Sequence, residues 1–149
     1  MRKILAGLVG AWLLCLTPAH GAEYGTRQEA AAMATAAAQL LKEKGPEALS
    51  AAVVQNPGPF RDRDLYVYVL TLDGTMFRHP ISPALEGKNL TNLRDVDGKL
   101  FIQEILALKE PGWVNYKWRN PTSNAVEAKT TYSIKQGDYW VLVGAYRTE

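Results

Sequence analysis

The chain has 149 residues, enough for one domain with one core and too short for two full-sized ones. Its 17 basic and 15 acidic residues nearly balance and form no basic block, which argues against a nucleic-acid partner. One cysteine and two histidines exclude an intrachain disulfide and the usual zinc sites.

The first predicted element is a targeting signal over residues 1–22. Arg2 and Lys3 precede an apolar run from Ile4 to Leu16, closed by small residues through Gly21 and Ala22, after either of which cleavage would fall. That run is well under the ~20 residues a membrane-spanning helix needs, so secretion, to the periplasm, is favoured over an anchor. Cys15 follows Leu14, which is not the small residue that a lipidated cysteine requires. The domain is then 23–149, with 15 basic against 15 acidic residues, no cysteine and His79 as its one histidine. No metal and no cofactor is expected.

Thr26-Arg-Gln-Glu29 has capping-box spacing and predicts a helix to about Lys44, with Met33, Ala37, Leu40 and Leu41 near one face. Gly45 ends it, and Pro46 opens a second short helix to Gln55. From Leu65 the period becomes that of a strand, and Leu72-Asp-Gly-Thr75 is a hairpin turn into a second strand, Thr75 to Arg78. His79-Pro80 stops it and a long connection follows. Asp95-Val-Asp-Gly98 reads as a turn with a helix N-cap, since it lacks the further oxygens of a calcium loop. The helix spans Lys99 to Lys109, with Leu100, Phe101, Ile105 and Leu108 at helical spacing. Three strands complete the chain, Trp113 to Arg119, Ala125 to Ile134 and Tyr139 to Tyr146, as an antiparallel meander rich in tryptophan and tyrosine. The plan is α+β: five antiparallel strands, with the long N-terminal helix on one face and the loop and helix after the second strand on the other.

The string Asn56-Pro-Gly-Pro-Phe60, Asp64-Leu-Tyr-Val-Tyr-Val69, Asp73-Gly-Thr75, His79-Pro80, Gly87-Lys-Asn89, Asp97-Gly-Lys99, Gly112-Trp-Val-Asn-Tyr-Lys-Trp118, Asn120-Pro121, Lys129-Thr-Thr-Tyr132 and Gly144-Ala-Tyr146 resembles a single Cache domain of the second type. These are extracytoplasmic sensor domains of bacterial chemoreceptors and histidine kinases. The resemblance implies a PAS-like fold with a ligand pocket on the sheet face under the loop and helix, and a small organic acid such as acetate, propionate, pyruvate or lactate as ligand. Family sensors usually continue through a membrane helix into a signalling domain, whereas this sequence stops at Glu149. A soluble periplasmic binding role or a separate partner, such as a membrane-bound receptor or histidine kinase, is therefore expected, and the alanine-rich helix could form a homodimer seam.

A carboxylate needs charged donors in a cleft whose walls exclude water. Lys129 is the first choice: it lies mid-strand, where alternation permits either an inward or a solvent-facing lysine. His79 begins the covering loop and could donate at the pocket mouth. Arg78 is a better carboxylate fork chemically but points opposite His79 if the strand persists. Tyr116 and Trp118 share one strand face, as do Tyr66 and Tyr68, and their polar tips need partners. Tyr68, Tyr116, Trp118, Tyr132 and Tyr146 are candidate pocket walls, and Trp113 a candidate lid. Two other classes fit the same residues less well: a structural or interaction module with the same fold and a filled pocket, docking on a membrane-bound kinase or chemoreceptor, and an enzyme. For the enzyme there is no Gly-x-Ser-x-Gly, Walker loop or dinucleotide fingerprint, and no catalytic residue is expected.

Overall fold

The computed structural model describes residues 23–146; the expected signal segment lies outside the described residues. Helix α1 (Arg27–Val53) opens on the capping box read from the sequence. The Thr26 hydroxyl accepts from the Glu29 N–H at 3.1 Å, and the Glu29 carboxylate accepts from the Thr26 N–H at 2.7 Å. At Gly45 the backbone turns left-handed, φ 82°, which a residue without Cβ adopts at no steric cost, and Pro46 restarts the helix where it needs no N–H partner. The two helices expected are two arms of one kinked element.

Among the described residues six strands follow rather than five: β1 (Arg61–Asp62), β2 (Leu65–Thr71), β3 (Met76–Arg78), β4 (Gly112–Arg119), β5 (Val126–Gln136) and β6 (Tyr139–Ala145). The extra strand, β1, is a two-residue antiparallel addition to β2. All pairings are antiparallel, in the order β1-β2-β6-β5-β4, with β3 hydrogen-bonded to β2 through the Asp73-Gly74 turn. The last three strands form the predicted meander, and its third strand lies beside β2.

Strand alternation divides the core into two layers. Leu65, Val67 and Val69 of β2 and Val141, Val143 and Ala145 of β6 face α1, which answers with Ala30, Ala34, Ala37 and Leu41. Small alanines let the helix backbone approach the sheet, while each buried valine or leucine contributes roughly 1.5–3 kcal/mol. The opposite face carries Tyr66, Tyr68, Tyr116, Trp140, Leu142 and Tyr146, and Leu90, Phe101, Ile102 and Ile105 of the connecting segment cover it.

That segment differs from expectation at its helix. α2 spans only Phe101–Leu106, and its N-cap, Leu100, offers no side-chain bond. Asp95 caps nothing. Its carboxylate accepts from the N–H groups of Asp97 and Lys99 at 3.0 and 2.9 Å and, through its other oxygen, from Lys117 of β4 at 3.0 Å. Lys99 is thereby held in a turn, the helix starts later, and the loop is fastened to the edge of β4.

Candidate ligand-binding site

The covered face encloses a cavity beside β2, β4 and β5. Its polar side is Tyr66, Tyr68, His79, Tyr116 and Lys129; Met76, Leu85, Leu90, Leu93, Phe101 and Ile102 form the apolar side, and Trp118 borders it. The free space is about 20 Å³, close to the room of a single water molecule.

Lys129 points inward from β5 and is 2 % exposed. Its ammonium donates to the Tyr66 hydroxyl at 2.8 Å and lies 4.3 Å from the Tyr66 ring centroid and 4.7 Å from that of Tyr146. Tyr68 and Tyr116 are farther, at 5.5 and 6.0 Å. Among the described residues no ion pair includes Lys129. Burial pulls its pKa down to about 7, against an opposing pull from the Asp64 charge.

The hydroxyls form two chains. Tyr146 donates to the Arg119 carbonyl at 2.7 Å, and that uses its one hydrogen. In the long 3.5 Å contact between Tyr66 and Tyr146 the donor is therefore Tyr66, which leaves the Tyr66 oxygen to accept from Lys129. In the second chain Tyr116 is 3.0 Å from the Tyr68 hydroxyl and 2.9 Å from that of Thr131. Three hydrogens serve two bonds, so one remains for a further acceptor. Burial raises all four tyrosine pKa values, and the phenols stay neutral donors.

His79 is buried against the Tyr66 and Tyr68 rings at 5.3 and 5.5 Å. Its Nδ1 accepts the N–H groups of Ile81 and Ser82 at 3.2 and 2.9 Å. That nitrogen therefore carries no hydrogen, and the neutral ring holds its proton on Nε2. Burial, and then the Lys129 charge, lower its pKa to about 3.

Of the residues singled out from the sequence, the fold brings together Lys129, His79, Tyr68, Tyr116, Trp118 and Tyr146. Three lie elsewhere. Trp113 and Tyr132 pack on each other at 4.9 Å on the α1 side, where Arg27 stands 4.5 Å above the Trp113 ring. Trp113 and Tyr132 therefore lie on the face away from this cavity and serve as neither its lid nor its wall. Arg78 turns to the Ser50 hydroxyl of α1 at 2.7 Å and to Glu86 at 3.0 Å, which spends the fork on structure. Sequence reasoning did not place Tyr66 itself, Thr131 or Phe101 at the site. Phe101 stacks on Tyr116 at 4.0 Å with planes 8° apart. Tyr66 was legible as the strand partner of Tyr68; Thr131, two residues from Lys129, was legible in the same way.

The site offers hydrogen-bond donors from Lys129, a hydroxyl chain and His79, and its lining includes no carboxylate. Such a set recognises an anion. The family model for Single Cache domain 2 matches residues 19–148. A methyl-accepting chemotaxis protein of Pseudomonas putida, McpP, is 34 % identical over 142 residues, covering 86 % of this chain and 26 % of that receptor. The sensor histidine kinase MctS of Rhizobium johnstonii is 29 % identical over 84 residues, 55 % of this chain and 18 % of the kinase. The chain thus spans about a quarter or less of the length of these relatives. Among solved structures, a Vibrio parahaemolyticus methyl-accepting chemotaxis protein superposes with TM-score 0.65 at 26 % identity, covering 77 % of this chain and 82 % of that one. A Cache chemosensory domain described for carboxylic acid recognition superposes with TM-score 0.62 at 26 % identity, covering 81 % and 88 %.

Proposed function

This chain belongs to the single Cache domain 2 family of extracytoplasmic sensor domains, and from that premise we propose that it binds a short-chain carboxylate such as acetate, propionate, pyruvate or lactate beside Lys129. The observation that carries the reading is a fully enclosed ammonium with a single hydrogen-bond partner, Tyr66, and no carboxylate at ion-pair distance among the described residues. An unpaired buried charge costs several kcal/mol, and an anion that reached it would offset that cost. His79 Nε2–H and the Tyr68–Tyr116–Thr131 chain supply further donors, while Leu90, Phe101 and Ile102 suit a short alkyl tail. The cavity has room for about one water molecule, so an acid of several heavy atoms enters when the cover between Pro80 and Asn92 shifts. The protein acts in the periplasm after removal of residues 1–22, and passes its state to a membrane-bound receptor or kinase.

The test is thermal unfolding with each acid and with the matching amide. Propionate or a close relative raises the melting temperature, by about 2.7 kcal/mol of stabilisation at a hundred times Kd, and the neutral amide does not. Lys129→Met removes the response. The tight cavity favours one second reading, a structural module whose pocket is already filled by its own side chains; no response to any acid in the wild-type protein would support that module instead.

A further inference from the structure

We infer that Gly144 is a positioning residue for the Lys129 ammonium: its missing side chain is the space through which the lysine stem crosses β6. Lys129 stands on β5 and its acceptor, Tyr66, on β2, and the sheet order sets β6 between them. The lysine therefore passes over β6 to reach the hydroxyl. It does so at Gly144, which is paired with Thr131, two residues from Lys129 on the same face of β5, and lies one residue beyond the Val67–Val143 pair that joins β6 to β2.

A Cβ at Gly144 would lie 1.9 Å from Lys129 Cε and 3.0 Å from Cδ, and 2.7 Å from Thr131 Oγ1. Gly144 is not among the glycines with positive φ, so the backbone there is one that any residue adopts. What it supplies is room. Its neighbours on the same face, Leu142 and Tyr146, are large, as expected where a glycine in mid-strand marks a close approach. The closest contact, at 1.9 Å, is with the flexible end of the lysine, so alanine at this position displaces the ammonium; the Thr131 hydroxyl at 2.7 Å is the lesser conflict.

The test compares Gly144→Ala, Lys129→Ala and the double variant for melting temperature and for propionate affinity by calorimetry. Gly144→Ala is expected to lower the melting temperature when Lys129 is present and to change it little in the Lys129→Ala background, where the stem is gone. Equal losses in both backgrounds would assign the conflict to Thr131 and overturn the inference. The affinity arm rests on the carboxylate reading above. Gly144→Ala should weaken propionate roughly 10- to 100-fold, the span of one lost charge-assisted hydrogen bond, and unchanged affinity would also overturn the inference. If the wild-type protein binds no acid yet the melting temperatures depend on background, the carboxylate reading fails and the positioning role stands.

Discussion

Lys129 carries its ammonium under the sheet cover without an acidic partner at contact distance among the described residues, so the energetic sign of that arrangement depends on pH. Its pKa falls from 10.5 to about 7, chiefly through burial. Between those values the unfolded chain holds a proton that the folded chain lacks. The ligand-free protein therefore gains stability as pH rises from about 7 towards 10.5, and below 7 it bears the full cost of the buried charge. An anion beside Nζ reverses the preference by stabilising the charged form. The propionate-induced rise in melting temperature should be full near pH 6 and fade by about pH 9, where the ammonium must first be recharged. A rise that is flat over that range would rule out a charged lysine as the anion's partner. At this scale the strand period alone assigns several rings to their faces. Lys129 and Tyr132 are three residues apart, as are Trp113 and Tyr116, so neither pair shares a face; parity alone separates Tyr132 and Trp113 from the cavity. Which of the two faces holds the cavity was not in the period, because both are apolar.

The elements divide into those fixed by local chemistry and those fixed by distant partners. α1 belongs to the first kind: Thr26 and Glu29 satisfy each other across one turn, and the spacing alone announced it. Thr26→Ala should cost about 1 kcal/mol in denaturant unfolding, and an unchanged midpoint would mean that the Arg63 contacts to Glu29 and the Tyr24 carbonyl hold this end alone. The cover over the cavity belongs to the second kind. Its start is tied by His79, whose ring accepts two backbone N–H groups, and by Glu86, which accepts from the His79 N–H at 3.0 Å and from Arg78. Its far end is tied by Asp95 to β4. The bonds around His79 and Glu86 are short-range, but the Asp95–Lys117 tie spans 22 residues and no local pattern encodes it. His79→Ala should speed amide exchange at Ile81 and Ser82 while leaving β5 and β6 protected. Unchanged exchange there would show that Glu86 alone secures the cover.

Across the whole molecule, one polar seam joins the entry to α1 with the buried lysine. Arg63 donates to the Tyr24 carbonyl at 3.0 Å and to Glu29 at 2.8 Å, and Asp64 accepts the Gly25 N–H at 2.6 Å. A Cβ on Gly25 would lie 2.2 Å from Leu65 Cγ, so the strap rests directly on the first residue of β2. Among the described residues Asp64 Oδ2 is buried with no hydrogen-bond partner, and burial raises the carboxyl pKa while the N–H groups of Gly25 and of Asp64 itself, and then the charges of Arg63 and Lys129, hold it down. In return, the Asp64 charge favours the protonated lysine. Asp64→Asn separates the two roles, because the amide oxygen still accepts from Gly25 while the charge is gone. Without that charge the lysine loses its proton at lower pH, so the midpoint at which propionate stops raising the melting temperature should move down. A midpoint that stays in place would mean that the strap and the cavity are electrostatically separate, and that Asp64 serves only to hold the N-terminal segment on the sheet.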